Sequence, residues 1–306
     1  MVVSFFMPVT HQRVVQDFLD YLKFQKRYSQ HTIISYQTDL IAFFDFIAIQ
    51  YGDTTLHDIK PTFIRTWLAS LKEYGLESKS INRKISTLKS FFKFQLKQQV
   101  LSISPMTTIV SPKVNKRLPQ FVEADDINTL FQEISFPDNW EGKTSRLILQ
   151  LFYNTGIRQA ELVGMKENQV DFANRSIKVL GKGNKERIIP AGKELLEQLQ
   201  AYISEKRKTF EKFDNLLLLV NNRGNKLYPK YVYLLVKKYL GQVTTIDKKS
   251  PHILRHTFAT HLMNNGAELN AVKELLGHSS LAATQIYTHN TIEKLKDIHK
   301  KAHPKA

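Results

Sequence analysis

The stretch PHILRHTFATHLMNNGAELNAVKELLGHSSLAATQIYTHN, residues 251–290, holds half of the chain's ten histidines, with Arg255 near its start and Tyr287 near its end. Three chemistries compete for such a concentration: a metal cage, an ordinary helix, and a site that cleaves phosphate esters. For a metal, the relevant set is His252, His256 and His261. His252 follows Pro251 and is expected just before a helix, which leaves His256 without a ligand on its own face. There is no HExxH pattern, and no nearby carboxylate completes a ligand set, so no metal is expected. As ordinary helix residues, Leu254, Phe258, Leu262, Val272, Leu275 and Leu276 read as core. His261 and His289 read as structural or surface groups, and His256 as a support for Arg255. A phosphodiester-cleaving site needs cationic donors for the non-bridging oxygens, a nucleophile, and an acid for the leaving alkoxide. Arginine, histidine and tyrosine supply those parts, and a tyrosyl phosphate ester keeps the bond energy needed to rejoin strands without ATP.

Composition sets the bounds on that choice. The chain has 306 residues, enough for two ordinary domains, and 42% of them are hydrophobic. With no cysteine, disulfides and thiolate chemistry are excluded. Lys and Arg total 44 against 28 Asp and Glu, a formal charge of +16 spread over both halves and the segment between them. Such an excess suits a polyanion, most simply nucleic acid. No apolar run is read as approaching a membrane span, and the opening MVVSFFMPV lacks a basic residue ahead of it, so neither a span nor a secretory signal is expected. A cytoplasmic protein with no membrane partner follows as the expectation.

The elements that must carry these residues are mostly helical. Apolar residues recur at helical spacing from His11 to Lys26, and again from an N-cap at Ser29 through Ile33, Tyr36, Leu40, Phe43, Phe44 and Ile47. A third helix is expected from Lys60 to Tyr74. A fourth begins at SKSINRKISTLKSFFKFQ, with Ile81, Ile85, Leu88 and Phe92 on one face and Arg83, Lys84, Lys89, Lys93 and Lys97 over much of the rest. In so basic a chain that face is a candidate DNA contact. Pro105, Pro112 and Pro119, with three basic residues among them, mark a linker. The expected organisation is a helical domain over 1–108, a linker over 109–118 and a second domain over 119–306. Within the latter, RSIKVLGKGNKERIIPA reads as a β-hairpin whose glycine-rich turn carries Lys182 and Lys185. Helices follow at 191–208, at 229–241 and from 255 onward.

Four segments in this order, NTGIRQAEL, GKGNKERIIP, HILRHTFATHL and LLGHSSLAATQIYTH, resemble the tyrosine recombinase (phage integrase) family. YSQHTIISYQTDLIAFFDF resembles the helical core-binding domain of those enzymes, and the closing AHPKA is similar to the ending of the Xer branch. The likeness spans nearly the whole chain. It implies a mainly α, two-domain DNA clamp: a helical core-binding bundle and a mostly helical catalytic domain with a small antiparallel sheet. By position, Arg158 and Arg255 match the two arginines that clamp the scissile phosphate. Lys182 matches the hairpin lysine that protonates the departing 5′ oxygen, and Lys185 is a neighbouring phosphate contact. His252 is expected in acid–base work or phosphate orientation. His278 falls where the family has histidine or tryptophan, which suits a hydrogen bond to phosphate, and Tyr287 matches the nucleophile.

The resemblance further implies that neither metal nor nucleotide cofactor is used, and that double-stranded DNA is cut and rejoined through a 3′-phosphotyrosine. A homo- or hetero-tetramer would act on two duplexes. Xer-type chromosome or plasmid dimer resolution is favoured, since no arm-binding domain stands ahead of His11. An integrase or transposase of a mobile element is the alternative, and a type IB-like topoisomerase a further one. One chain acting alone and one acting with a second Xer-type recombinase both fit, as does activation by a DNA translocase. Residues 221–235 and the N-terminal helices are expected to set target specificity. SFPDNWEGKTSR matches no part of the family pattern. In the tail, Ile292, Leu295 and Ile298 recur at helical spacing, and docking of that tail on a neighbouring protomer is expected.

Overall fold

The computed structural model describes residues 9–114, 120–181 and 186–277. The chain divides into two compact units, Met1–Lys116 and Arg117–Ala306.

Among its described residues, the first unit is built of helices alone. α1, Val9–Asp20, continues into a π-helical turn over Tyr21–Gln25; α2 is Gln30–Tyr51, α3 Pro61–Glu73 and α4 Ser78–Lys97. Ser29 caps α2 by accepting the Thr32 N–H, one of the donors a helix start leaves unpaired. Pro61 opens α3 where its missing N–H is harmless. The apolar stripes expected on α2 and α4 meet in an aromatic core. Phe18 lies edge-on to Phe91 at 5.5 Å, and Phe43 edge-on to Trp67 at 5.1 Å. Leu101, Met106 and Ile109 join that core, and Asn82 donates to the Pro112 carbonyl at 2.9 Å, so the bundle holds the chain as far as Pro112.

α2 is long and apolar enough by composition to cross a membrane, which corrects the expectation that no stretch approaches that test. Its buried face, however, packs within the bundle, and its midpoint carries Asp39. This fully buried carboxylate accepts from Arg83, from Lys84 at 2.9 Å and from Thr87 at 2.9 Å, all on α4.

The second unit is helical around one small sheet. α5 is Ala124–Gln132, α6 Trp140–Thr155 and α7 Gln159–Val163. The strands are β1 Val170–Asp171, β2 Ser176–Leu180 and β3 Glu186–Pro190, antiparallel in the order β1-β2-β3. α8 is Lys193–Thr209, α9 Pro229–Val243, α10 Pro251–Asn264 and α11 Leu269–Leu276. The hairpin pairs Ile177 with Ile189 and Val179 with Arg187. β1 was not foreseen, because two residues are too few to show alternation; Asp171 accepts the Asn174 N–H at 2.8 Å and turns the chain into β2. The segment without a family match starts α6: Asn139 caps it through the Gly142 N–H at 2.9 Å, and Trp140 donates to the Val220 carbonyl at 3.2 Å. A side chain at residue 142 would strike the Pro137 carbonyl, which is why glycine stands there.

Candidate active site

The site is assembled where α6 and α11 end. Thr155 is followed by Gly156 in the left-handed region at φ 57°, where a Cβ would lie 2.4 Å from the Phe258 ring. Glycine therefore lets α6 stop against α10 and turn directly into Ile157 and Arg158. α11 ends likewise at Gly277, φ 63°. Both ends expose carbonyls that no helical N–H can reach, and arginines fill them. Arg255, buried on α10, donates to the Gly156 carbonyl at 2.5 Å and to the Leu276 carbonyl at 2.5 Å. Arg158 donates to the next carbonyl, that of Gly277, at 3.0 Å. Residues 158 and 255, nearly a hundred apart in sequence, thus converge on adjacent peptide groups.

Arg158 is the N-cap of α7, and its own N–H donates to Glu161 Oε2 at 2.9 Å. Its Nη1 donates to Glu161 Oε1 at 2.8 Å. Glu161 is 7% exposed. Burial pushes its carboxyl up, but hydrogen bonds from Arg187 and from the Arg158 backbone and side chain outweigh that and leave it below the ordinary carboxylate value. Arg187 on β3 grips the same carboxylate with two bonds, Nη1 to Oε1 at 3.0 Å and Nη2 to Oε2 at 2.8 Å, while its Nε donates to the Leu275 carbonyl at 2.8 Å. Three guanidinium groups therefore meet three successive carbonyls at the end of α11. Neither Arg187 nor the structural part of Glu161 was foreseen from sequence. The available signal was the two-residue alternation that puts Arg187 on the same strand face as buried Ile189.

His252 stands in the first turn of α10 and not ahead of it. Pro251 occupies N1, where its lack of an N–H is tolerated, so the helix starts one residue before His252 instead of after it. His252 reaches solvent, yet the protein packed beneath its ring lowers its pKa, and the cations Arg255 and Arg158 lower it further. Burial likewise lowers His256, with His252 and Arg255 adding to the effect. Among the described residues, then, Arg158, Arg255, His252 and His256 sit close enough to feel one another, and they favour neutral imidazoles beside fixed cations. His261 faces the other way. Its Nε2–H donates to the Val122 carbonyl at 3.0 Å, and its Nδ1 accepts from the Tyr153 hydroxyl at 3.1 Å. Thr257 takes the Val122 N–H at 2.9 Å, so α10 pins both polar groups of that residue.

Lys182, Lys185, His278 and Tyr287 lie outside the described residues. His278 follows Gly277 directly in the chain, and β3 begins one residue after Lys185. In the first unit the basic face of α4 needs one correction. Lys84 is buried, its ammonium on Asp39 and 5.7 Å from the Trp67 ring centroid, so it serves the bundle and offers no direct phosphate contact. The buried carboxylate on the neighbouring helix draws it inward. Arg83 reaches the same carboxylate but stays half exposed, bonded also to Ser35 Oγ at 2.8 Å, and Lys89 is exposed. In residues 221–235, Asn221 shapes a turn by accepting the Arg223 and Asn225 N–H groups, and Tyr228, Tyr233 and Leu234 are exposed. No group of three or more His, Asp or Glu able to hold a metal occurs among the described residues.

Comparison with known proteins shows the family. Residues 120–294 match the phage integrase family, and residues 15–99 match the phage integrase N-terminal SAM-like domain. The chain is 36% identical to tyrosine recombinase XerC of Chlorobaculum parvum, covering 97% of this chain and 96% of that protein. It is 37% identical to tyrosine recombinase XerC of Listeria innocua, covering 94% and 97%. In fold it is similar to the XerH site-specific recombinase bound to palindromic difH substrate, with a TM-score of 0.74 and 22% identity over 96% of this chain and 90% of that one. Two matched domains that together span most of the sequence, and relatives aligned along nearly their full length, leave one assignment: this chain belongs to the phage integrase family, the tyrosine recombinases.

Proposed function

We propose that this recombinase is of the Xer type, acting on double-stranded DNA with Tyr287 as nucleophile and Arg158, Arg255, Lys182, His252 and His278 as its catalytic set. The observation that carries the reading is the convergence of Arg158 and Arg255 on the Leu276 and Gly277 carbonyls, immediately before His278 in the chain. Two guanidinium forks held at one point suit the two non-bridging oxygens of a phosphodiester. In the first step the Tyr287 oxygen attacks phosphorus and the bond to the 5′ oxygen breaks. A 3′-phosphotyrosine forms, and Lys182 gives a proton to the departing 5′ oxygen, which leaves as a hydroxyl. The arginines stabilise the charge that builds on the phosphoryl oxygens. His252, kept neutral by burial and by the adjacent cations, is suited to receive the tyrosine proton. The 5′ hydroxyl of a partner strand reverses the step and reseals the backbone. Arg83, Lys89 and Lys185 are DNA phosphate contacts in this reading.

Identity of 36–37% with proteins named tyrosine recombinase XerC supports the Xer role over a mobile-element integrase. Strand exchange then takes four protomers on two duplexes, with the C-terminal tail as the link between neighbours, and the protein works in the cytoplasm. Exposure of wild type and Tyr287→Phe to nicked duplex fragments of the source genome, in chelator, tests the proposal. DNA-linked protein from wild type alone is expected, and sequencing of the trapped DNA is expected to return one chromosomal or plasmid site. Equal adducts from both proteins would remove Tyr287 from its role. Adducts at the ends of a mobile element, or scattered over many sequences, would replace the Xer role by integration or by topoisomerase-like cleavage.

A further inference from the structure

We infer that Arg187 is a positioning residue for strand cleavage, one that holds Glu161 so that Arg158 remains available to the scissile phosphate. The inference rests on the reading of Arg158 as a phosphate clamp and extends it to a residue with no assigned part.

The charge arithmetic of the cluster motivates it. Glu161 accepts four N–H bonds: the Arg158 backbone at 2.9 Å, Arg158 Nη1 at 2.8 Å, Arg187 Nη1 at 3.0 Å and Arg187 Nη2 at 2.8 Å. The two-point grip belongs to Arg187, and forked pairing of that kind is the strongest way to neutralise a carboxylate. Arg158 touches the carboxylate side chain to side chain through a single N–H, and its Nη2 goes to the neutral Gly277 carbonyl. The trio carries one net positive charge. Arg187 is 9% exposed and Arg158 32%, so the accessible cation is Arg158. Without Arg187, a buried carboxylate would face Arg158 alone. It would cancel that cation's charge and repel the phosphate as negative charge accumulates on it.

A second observation points to the same residue. A Cβ at Gly277 would come within 3.0 Å of Arg187 Cδ, and the Arg187 Nε bond to Leu275 fastens strand β3 to the last turn of α11. Arg187 therefore backs the glycine whose carbonyl holds Arg158. The aliphatic part of one side chain and its guanidinium thus fix both anchors of the clamp, the carboxylate and the carbonyl.

The test compares single-turnover covalent cleavage by wild type, Arg187→Gln, Arg187→Lys and the double variant Arg187→Gln with Glu161→Gln. The probe is the nicked duplex that wild type captures, present at saturation, and duplex affinity and thermal midpoint are measured alongside. Arg187→Gln is expected to cleave on the order of 100-fold more slowly, the usual loss when a transition-state charge partner is impaired, with duplex affinity within about threefold of wild type. The double variant is expected to cleave faster than Arg187→Gln, because it removes the unneutralised carboxylate. Arg187→Lys should fall between wild type and Arg187→Gln, having the charge without the fork. A merely structural part predicts the reverse for the double variant, which would be no faster and less stable. Cleavage by Arg187→Gln at the wild-type rate, or a double variant no faster than the single one, would overturn the inference. Should Arg187→Gln fail to fold, Arg187→Lys against Arg187→Lys with Glu161→Gln carries the same comparison. Failure of wild type itself to form an adduct would strike the tyrosine recombinase reading and not the part played by Arg187.

Discussion

At the scale of single residues, what matters is who holds each cation. Arg255, the proposed phosphate ligand, is locked between two helix ends and is also a piece of architecture, whereas Arg158 is tethered and half open. The two should therefore respond differently to substitution. Arg158→Lys keeps the charge but loses the fork that spans Glu161 and Gly277. It is expected to slow covalent cleavage by about 10²–10³-fold while leaving the thermal midpoint nearly unchanged. Arg255→Lys strands one of two buried carbonyls, an unmade bond worth about 1–3 kcal/mol. It should lower both cleavage and the midpoint. Melting curves and single-turnover rates on the same preparations check the contrast, and equal stability losses in the two variants would refute it.

At the scale of elements, much of the helical layout was legible because burial imposes the 3.6-residue period. The Ser29 cap, the α2 and α4 stripes and the hairpin all follow from local pattern. What the pattern missed depends on partners distant in sequence. Lys84 turns inward because Asp39 lies on another helix, and Arg187 finds its partners only when β3 meets Glu161 and the end of α11. From sequence Pro251 reads as a boundary that leaves His252 outside the helix, yet it is the first helical residue and His252 lies within α10. Gly156 shows how tightly these elements are joined. Gly156→Ala is expected to destabilise the second unit by on the order of 3 kcal/mol, from overpacking against Phe258 plus a left-handed backbone that alanine disfavours.

His11 supplies an acid-sensitive element in the first unit. It is 2% exposed, stacked on Phe44 at 4.5 Å, and neither ring nitrogen has a hydrogen-bond partner. Burial lowers its pKa, and the more distant Asp53 only partly opposes this. Because the folded-state pKa lies below the unfolded value, the stability contribution is complete above about pH 6.5 and declines as the pH falls from there. The limiting slope is about 1.4 kcal/mol per pH unit, one proton taken up on unfolding. Urea unfolding of the full chain at pH 7.5, 6 and 5 should show wild type losing stability faster than His11→Phe. Parallel losses would contradict the assignment.

At the scale of the whole molecule, the excess of 44 basic over 28 acidic residues is divided between internal pairing and solvent. Lys84 and Lys206 are buried in ion pairs with Asp39 and Glu167, whereas Lys89, Lys93 and Lys97 on α4 are exposed. Binding to duplex DNA should weaken linearly in log affinity against log salt, and Lys89→Ala should reduce that slope by roughly one unit of counterion release. Lys84→Met should leave the slope unchanged. A change of slope with Lys84→Met and none with Lys89→Ala would reverse the assignment of these two lysines.

The proposed recombinase chemistry stands or falls on the chemical identity of the link between protein and DNA. Digestion of the covalent adduct followed by mass spectrometry of the nucleotide-bearing peptide reads it directly. A single modified peptide is expected, phosphate esterified to the Tyr287 oxygen, with the attached nucleotide joined through its 3′ end. A nucleotide joined through its 5′ end, or carried on any other residue, would contradict it.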